Sequence, residues 1–186
     1  MGINAVQAQQ VYERAECLFS ESEVKSALDR VADEISTQLS AKNPLVLCVM
    51  TGGLMACSEL LMRFDFPLEV DYLHATRYDD LTVGKNLKWI ASPRKSLKDR
   101  DLLLIDDILD EGYTLQAIIK HCKEEGARTV RTAVLTQKKH NRNAGLAEAD
   151  YTGLIVPDRY VFGFGMDYKG YWRNLPAIFA ASKDDE

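Results

Sequence analysis

Hydrophobic positions at the start of the chain recur with helical periodicity. Apolar residues return every three or four positions over residues 5–19 and again over residues 21–39. Ser20 or Ser22 precedes the second run and can accept a hydrogen bond from the first helical turn as an N-cap. The pattern therefore predicts two N-terminal helices, Ala5 to Phe19 and Glu21 to Leu39.

A different pattern follows, in which a continuous apolar run, a glycine-bearing turn and an amphipathic stretch repeat. PLVLCVMTGG with LMACSELLMRF is the first unit, DLLLIDDILDEG with YTLQAIIKHCKEEG is the second, and ARTVRTAVLTQ supplies a further strand. Continuous apolar strands separated by helices are typical of a parallel sheet covered on both faces. We therefore expect an α/β domain with a central, mainly parallel sheet flanked by helices.

The segment between the two units alternates apolar and polar residues. Residues 68–72 and 87–89 follow a period of two, and the polar stretch DDLTVGKN separates them. This predicts two strands joined by a long polar loop. After Gly145, short strands and turns are expected up to the final apolar run.

Length and charge narrow the class of protein. The 186 residues fit one domain, and the net charge of −5 gives no general attraction to nucleic acid or to anionic lipid. No apolar run approaches the roughly 18 residues of a membrane span, and the N-terminus lacks the features of a signal peptide. We expect a cytoplasmic protein whose four dispersed cysteines are reduced.

Four carboxylates lie where the second apolar strand meets its helix. Leu102 to Ile105 is the expected strand, and Asp106, Asp107, Asp110 and Glu111 follow it within six positions. These acids could be helix caps and a solvated strand end, or a cage for Mg²⁺. They could also accept hydrogen bonds from sugar hydroxyls while the backbone amides that open the helix bind the phosphate of the same sugar.

Two motifs carry a resemblance to a known family. LLLIDDILDEGYTL resembles the phosphoribosyl-pyrophosphate binding motif of the type I phosphoribosyltransferases, and VPDRYVFGFGMDYKGYWRNLP resembles the purine-binding segment of the hypoxanthine-guanine phosphoribosyltransferases. With the VMTGG turn, the resemblance extends from Leu45 to the C-terminus. It implies one domain over residues 1–186, with a core at about 40–160 and a small hood from about 1–40 and 160–186.

The resemblance implies roles for the strand-turn-helix motif. Asp106 and Asp107 would serve the ribose hydroxyls and a Mg²⁺ ion, and Asp110 would exchange a proton with N7 of the purine. The 5-phosphate would be bound by Glu111, Gly112, Tyr113 and Thr114.

The resemblance also implies a site for pyrophosphate. Thr51, Gly52 and Gly53 would offer backbone amides, and Arg173 would supply a cation. The family often has a lysine in place of Thr51 and a non-proline cis peptide at this turn. Arg77, in the segment that resembles the mobile lid of the family, would add a second cation or contact another subunit or solvent.

For the base, the resemblance implies stacking on Tyr160 and a backbone contact from Val161. Lys138 would donate to the 6-oxo group, with Lys139 as the alternative, and Asp167 would hold Mg²⁺. Hypoxanthine or guanine would thus be joined to phosphoribosyl pyrophosphate in purine salvage by a homodimer or homotetramer. The alternatives are a phosphoribosyltransferase for xanthine, adenine or a pyrimidine, or a non-catalytic RNA-binding regulator on the same fold.

Overall fold

The structure, a computed structural model, describes residues 2–77, 87–140 and 145–186, with the backbone alone at Arg77 and Leu87. The predicted polar loop DDLTVGKN and Tyr78 lie outside these residues. The helices described are α1 (Ala5–Arg14), α2 (Glu21–Leu39), α3 (Leu54–Leu61) and α4 (Tyr113–Glu124). The strands described are β1 (Glu16–Phe19), β2 (Leu45–Val49), β3 (Glu69–Arg77), β4 (Leu87–Ala91), β5 (Asp101–Leu109), β6 (Thr129–Lys139), β7 (Tyr151–Pro157), β8 (Val161–Phe162) and β9 (Ile178–Ala180).

The larger sheet has six strands in the order β4-β3-β2-β5-β6-β7. All neighbours in it are parallel except β3 and β4, which pair antiparallel. Alternate residues of β5 pack into different apolar clusters, Leu103 and Ile105 with α2 and α3, and Leu102 and Leu104 with α4. The predicted fold class, a mainly parallel sheet flanked by helices, is confirmed.

A smaller sheet joins the two ends of the chain in the order β1-β9-β8. The predicted helix over residues 5–19 is wrong in its second part, since α1 ends at Arg14 and Glu16–Phe19 is a strand. The reason is tertiary: Glu16 pairs with Ala180 and Cys17 with Phe179, and such pairing overrides a weak local helical preference.

Helix α2 begins as the sequence predicts. Ser20 is its N-cap, and a capping box forms in which the Ser20 N–H donates to the Glu23 carboxylate over 2.8 Å and the Ser20 Oγ accepts from the Glu23 N–H over 3.4 Å. The apolar face of α2 packs in the cluster of the larger sheet, although the predicted hood covers residues 1–40. The division into core and hood remains a prediction.

Strand β5 pairs with β6 over a longer stretch than it pairs with β2. Its pairing with β2 ends where Cys48 meets Ile105, whereas its pairing with β6 continues to Leu109 opposite Gln137. The predicted strand, Leu102 to Ile105, is therefore too short, because β6 holds the chain extended beyond Ile105. Asp106 and Asp107 belong to the strand, at a point where its β2 side is open.

Two further predictions concern the state of the cysteines and the absence of a membrane span. Cys17, Cys48, Cys57 and Cys122 are all free thiols. Among the residues that the structure describes, no helix has the length and the apolar character that crossing a membrane would require.

Candidate active site

A cavity of about 350 Å³ lies beyond the carboxyl ends of β2, β3 and β5. Residues 49–52, 74–76 and 106–115 form most of its wall, and Asp167 and Arg173 complete it. In parallel sheets this edge is where ligands bind. The structure thus brings together the residues that the sequence assigns to ribose, phosphate and pyrophosphate, which are Asp106, Asp107, Glu111, Gly112, Tyr113, Thr114, Thr51, Gly52 and Arg173.

Asp106 and Asp107 are adjacent acids in this wall. Asp107 is 9% exposed and Asp106 somewhat more so, yet both carboxyl groups lie deep among protein atoms. Burial, and next the charge of Asp107, raise the pKa of Asp106 well above its usual range. Burial also raises the pKa of Asp107, against hydrogen bonds and the nearby Arg173. Two such acids favour a positive charge or hydrogen-bond donors in the cavity.

The start of α4 faces the same cavity. Gly112 precedes the helix with φ of +76°, and its carbonyl oxygen accepts from the N–H groups of Gln116 at 3.0 Å and Leu146 at 3.2 Å. A Cβ at Gly112 would lie 2.2 Å from the Leu146 carbonyl oxygen, so a larger residue fits neither the backbone nor the space. The amide groups at a helix start carry partial positive charge and bind anions.

The turn after β2 forms the opposite wall. The peptide bond between Met50 and Thr51 is cis, and Thr51 is exposed. The N–H of Gly53 donates to the Val49 carbonyl over 2.9 Å, and Gly53 is not part of the cavity wall. Of the three residues predicted to offer amides here, Thr51 and Gly52 border the cavity.

Arg173 returns from the C-terminal segment to the acids of β5. Its Nη2 lies 2.6 Å from Oδ1 of Asp167, and its Nη1 donates to the Gly165 carbonyl over 2.6 Å. The same Nη1 lies 3.9 Å from Oδ2 of Asp107. The guanidinium is therefore fixed at the cavity wall by contacts on two sides.

A second cavity of about 240 Å³ adjoins the first. The two share Asp107, Ile108, Asp110 and Asp167, and the second is completed by Lys138, Tyr160, Val161 and Met166. The residues that the sequence assigns to the purine thus line the same cavity as Asp110. Lys138 borders this cavity, whereas Lys139 is exposed. The assignment of Lys138 to the 6-oxo group stays a prediction.

Two side chains at and just after the end of β6 lie close to the Asp110 carboxylate. Lys138 Nζ lies 2.9 Å from Oδ2, and His140 Nε2 lies 3.0 Å from Oδ1. His140 and the cavity-lining residues Ile108 and Met166 are not among the site residues that the sequence predicts. The one signal in the sequence for His140 is its position two residues after Lys138.

Two predicted features remain without a structural counterpart. The side chain of Arg77 lies outside the described residues. Within the described part of the chain, no group of three or more His, Cys, Asp or Glu side chains is arranged to hold a metal ion. Asp106, Asp107 and Asp167 nevertheless border one cavity, which suits a Mg²⁺ that takes most of its ligands from a phosphorylated substrate and water.

Comparisons with known proteins agree with this geometry. The phosphoribosyl transferase domain family matches residues 16–169. The bifunctional protein TilS/HprT of Listeria monocytogenes is 36% identical over 162 residues, which are 87% of this chain and 25% of that protein. The hypoxanthine-guanine phosphoribosyltransferase of Bacillus subtilis is 32% identical over 162 residues, which cover 87% of this chain and 89% of the relative.

Solved structures give the same result. A hypoxanthine phosphoribosyltransferase from Staphylococcus aureus superposes with a TM-score of 0.86 at 26% identity, covering 98% of this chain and 97% of that one. The chain spans about a quarter of the Listeria relative and nearly the whole of the Bacillus and Staphylococcus proteins. The chain belongs to the phosphoribosyl transferase domain family and, within it, to the hypoxanthine-guanine phosphoribosyltransferases.

Proposed function

We propose that the protein is a purine salvage enzyme. It transfers the 5-phosphoribosyl group from phosphoribosyl pyrophosphate to hypoxanthine or guanine, giving IMP or GMP and pyrophosphate. The observation that carries this proposal is the pair of adjoining cavities that share Asp107, Ile108, Asp110 and Asp167. The larger combines a helix start with buried acids, and the smaller combines an aromatic ring, a lysine and apolar side chains.

The sugar phosphate occupies the larger cavity. Its 5-phosphate lies at the start of α4, where Glu111, Gly112, Tyr113 and Thr114 surround it with backbone amides and the Thr114 hydroxyl. Asp106 and Asp107 accept hydrogen bonds from the ribose hydroxyls. As the bond at the anomeric carbon breaks, positive charge develops on the ribose, and the two acids stabilise that charge because they are held in place beforehand.

The purine occupies the smaller cavity. Tyr160 stacks on the base, the backbone of Val161 contacts its edge, and Lys138 donates to the 6-oxo group, which adenine lacks. Asp110 exchanges a proton with N7 as the base attacks. General acid-base help of this kind is typically worth ~10²–10⁴ in rate, or roughly 3–5 kcal/mol of barrier.

The pyrophosphate leaves along the turn after β2. Thr51 and Gly52 offer backbone contacts, and Arg173 supplies a cation that the turn itself lacks. Asp106, Asp107 and Asp167 would hold the Mg²⁺ that, when bound with the substrate, neutralises charge on the phosphates. Arg77 stays a predicted pyrophosphate contact.

We also infer that the protein is a cytoplasmic homodimer or homotetramer acting on these small molecules. The oligomeric state rests on the resemblance to the family. Light scattering coupled to size-exclusion chromatography measures it directly, and a monomer at all concentrations would contradict it.

A base-by-base product assay tests the proposed function. The protein is incubated with phosphoribosyl pyrophosphate and hypoxanthine, guanine, xanthine, adenine or uracil, with and without Mg²⁺. We expect IMP and GMP to form only with Mg²⁺. If product formed only from adenine or uracil, the proposed substrate would be wrong. If no product formed with any base, the proposed enzymatic function would be wrong.

The Asp110→Asn variant tests the role of the acid. Turnover should fall by at least ~10-fold, while the KM for phosphoribosyl pyrophosphate changes little, because Asp110 contacts the base. Unchanged turnover would remove Asp110 from the chemistry.

A further inference from the structure

We propose that Arg14 and Asp185, which form an ion pair, are positioning residues for Tyr160, the ring that stacks on the purine. This deepens the proposed function and rests on it, because Tyr160 has its role there. Arg14 and Asp185 border neither cavity, so they act through a side chain that lies between them and Tyr160. That side chain is Tyr168.

Tyr160 and Tyr168 form an aromatic pair beside the smaller cavity. Their ring centroids are 5.0 Å apart with an interplanar angle of 65°, which is the edge-to-face arrangement that aromatic pairs favour. Tyr160 borders the cavity, whereas Tyr168 is buried in an apolar cluster with residues of α1 and of the smaller sheet. Because the rings are in contact, the position of the Tyr168 ring limits the positions open to the Tyr160 ring.

The hydroxyl group of Tyr168 fixes the far end of its ring. It donates to the backbone carbonyl of Asp185 over 2.6 Å. The backbone of Tyr168 is held separately, since its N–H donates to the Tyr171 carbonyl over 2.9 Å and its carbonyl accepts from the Tyr171 N–H over 3.0 Å. Loss of the hydroxyl contact should therefore release the ring without releasing the segment that carries Asp167.

The carbonyl that accepts this hydroxyl belongs to a turn that is attached to α1. The Asp185 N–H donates to the Ser182 carbonyl over 2.9 Å, and the Ser182 hydroxyl donates to Oδ2 of Asp185 over 2.6 Å. Arg14, the last residue of α1, donates to the same carboxylate from Nε to Oδ2 over 3.1 Å and from Nη2 to Oδ1 over 2.7 Å. Two parallel bonds from one guanidinium fix direction as well as distance.

The ion pair of Arg14 with Asp185 lies partly in solvent. The Asp185 side chain is 11% exposed, and that of Arg14 is 53% exposed. The hydrogen bond from Arg14, and next the one from Ser182, holds the pKa of Asp185 below its usual range, so the carboxylate is charged at neutral pH. Exposed ion pairs contribute little to the stability of a fold, so loss of this pair should leave the protein folded. Its effect is then expected on the ring of Tyr160.

Kinetics of Arg14→Met and Asp185→Ala test this role. Each variant should raise the KM for hypoxanthine and guanine by at least ~3-fold, because the released ring faces the base. The KM for phosphoribosyl pyrophosphate should stay within about twofold of the wild type. Lys25→Met is the matched control, since it removes an ion pair with Glu21 in which both side chains are 50% exposed and neither borders a cavity. Equal changes in Lys25→Met and Arg14→Met would overturn the proposal.

Tyr168→Phe tests the link between the ion pair and the rings. Phenylalanine keeps the aromatic contact and removes only the donor to the Asp185 carbonyl. This variant should raise the KM for the base as Asp185→Ala does, and the double variant should be little worse than either single one, because residues that act as a unit are not additive. Wild-type kinetics of Tyr168→Phe, or additive losses in the double variant, would overturn the proposal.

The ring signals of Tyr160 give a readout that does not require turnover. In the ligand-free protein, its ring ¹H–¹³C signals, assigned with Tyr160→Phe, should shift in Arg14→Met and stay unchanged in Lys25→Met. Unchanged signals in Arg14→Met would overturn the proposal even in an inactive protein. A wild-type protein that turns over neither purine, yet whose Tyr160 signals shift in Arg14→Met, would reject the proposed function while retaining the coupling of Arg14 to Tyr160.

Discussion

Gly52 and Asp107 lie so close together that a Cβ on Gly52 would fall 1.9 Å from Oδ2 of Asp107. The turn after β2 and the acid of β5 therefore share one contact, and the missing side chain leaves room for the carboxylate. Gly52 is buried in this arrangement, although it also borders the larger cavity. Any substitution there must move either the turn or the acid.

Gly52→Ala should therefore have a larger effect on catalytic activity than on the stability of the fold. A shift of the turn or of Asp107 by about 1 Å is expected to lower kcat/KM for phosphoribosyl pyrophosphate by ~10²-fold. Gly2→Ala is the control, since nothing lies within 4 Å of a Cβ at that position. Steady-state kinetics that gave both variants the same kcat/KM would show that the contact has no influence on the site.

Asp106→Asn should stabilise the free protein, and more so as the pH rises. Burial raises the pKa of Asp106 in the folded state. The folded protein thus binds this proton more tightly than the unfolded chain, and stability is lost as the pH rises from about 4 through the raised pKa. We expect the Tm of Asp106→Asn to exceed that of the wild type by ~2 °C or more at pH 7 and by less at pH 5.

Asp101→Asn is the matched control for this melting experiment. Asp101 is also buried, but its carboxylate accepts from Arg128 Nη1 at 2.9 Å and from Thr129 Oγ1 at 2.7 Å. Loss of a buried, hydrogen-bonded charge destabilises, so its Tm should fall. An Asp106→Asn protein that melted below the wild type at pH 7 would contradict the assignment of Asp106 as a destabilising acid.

The sequence predicts the site better than it predicts the ends of the elements. The residues of LLLIDDILDEGYTL lie consecutively along one strand, turn and helix, and those from Asp106 to Leu115 together form part of the cavity wall. Strand β1 depends instead on pairing with β9, about 160 residues away, and its apolar positions also fit a helix. Local periodicity does not distinguish the two.

The same limit applies to Asp110 and its neighbours. Lys138 and Lys139 are equivalent in the sequence, and the β5–β6 register with the position of β7 decides which one faces the cavity. The contact of His140 with Asp110 has the same origin. Lys138 was predicted although the neighbouring strand β6 supplies it, because the resemblance assigns a lysine at that strand end, whereas His140, just beyond the same strand, was not predicted.

Lys138→Met and Lys139→Met should separate the two lysines. Lys138 contacts Asp110 and borders the smaller cavity, where the purine is proposed to bind. Its loss should therefore raise the KM for hypoxanthine and guanine by at least ~10-fold, about 1.4 kcal/mol. Lys139 is exposed, and its variant should match the wild type. Initial-rate measurements in which Lys139→Met carried the larger effect would reverse the assignment.

Arg173→Lys should weaken binding of phosphoribosyl pyrophosphate although the charge is kept. The guanidinium reaches Asp167 with Nη2 and the Gly165 carbonyl with Nη1, whereas a lysine has one nitrogen and cannot occupy both positions. Since Thr51 supplies no cation to the turn, the displaced charge has no substitute there. We expect the KM for phosphoribosyl pyrophosphate to rise by ~10-fold, with a smaller change in the KM for the base.

The matched control is Arg94→Lys, because Arg94 is exposed and borders neither cavity. A purely electrostatic role for Arg173 would leave Arg173→Lys close to the wild type and make Arg173→Met alone defective, since lysine carries the same charge. Equal defects in the lysine and methionine variants would instead show that the two-sided anchoring of the guanidinium matters, because only arginine positions the cation at the pyrophosphate. Titration with pyrophosphate, followed calorimetrically in the presence of Mg²⁺, distinguishes these outcomes without the base.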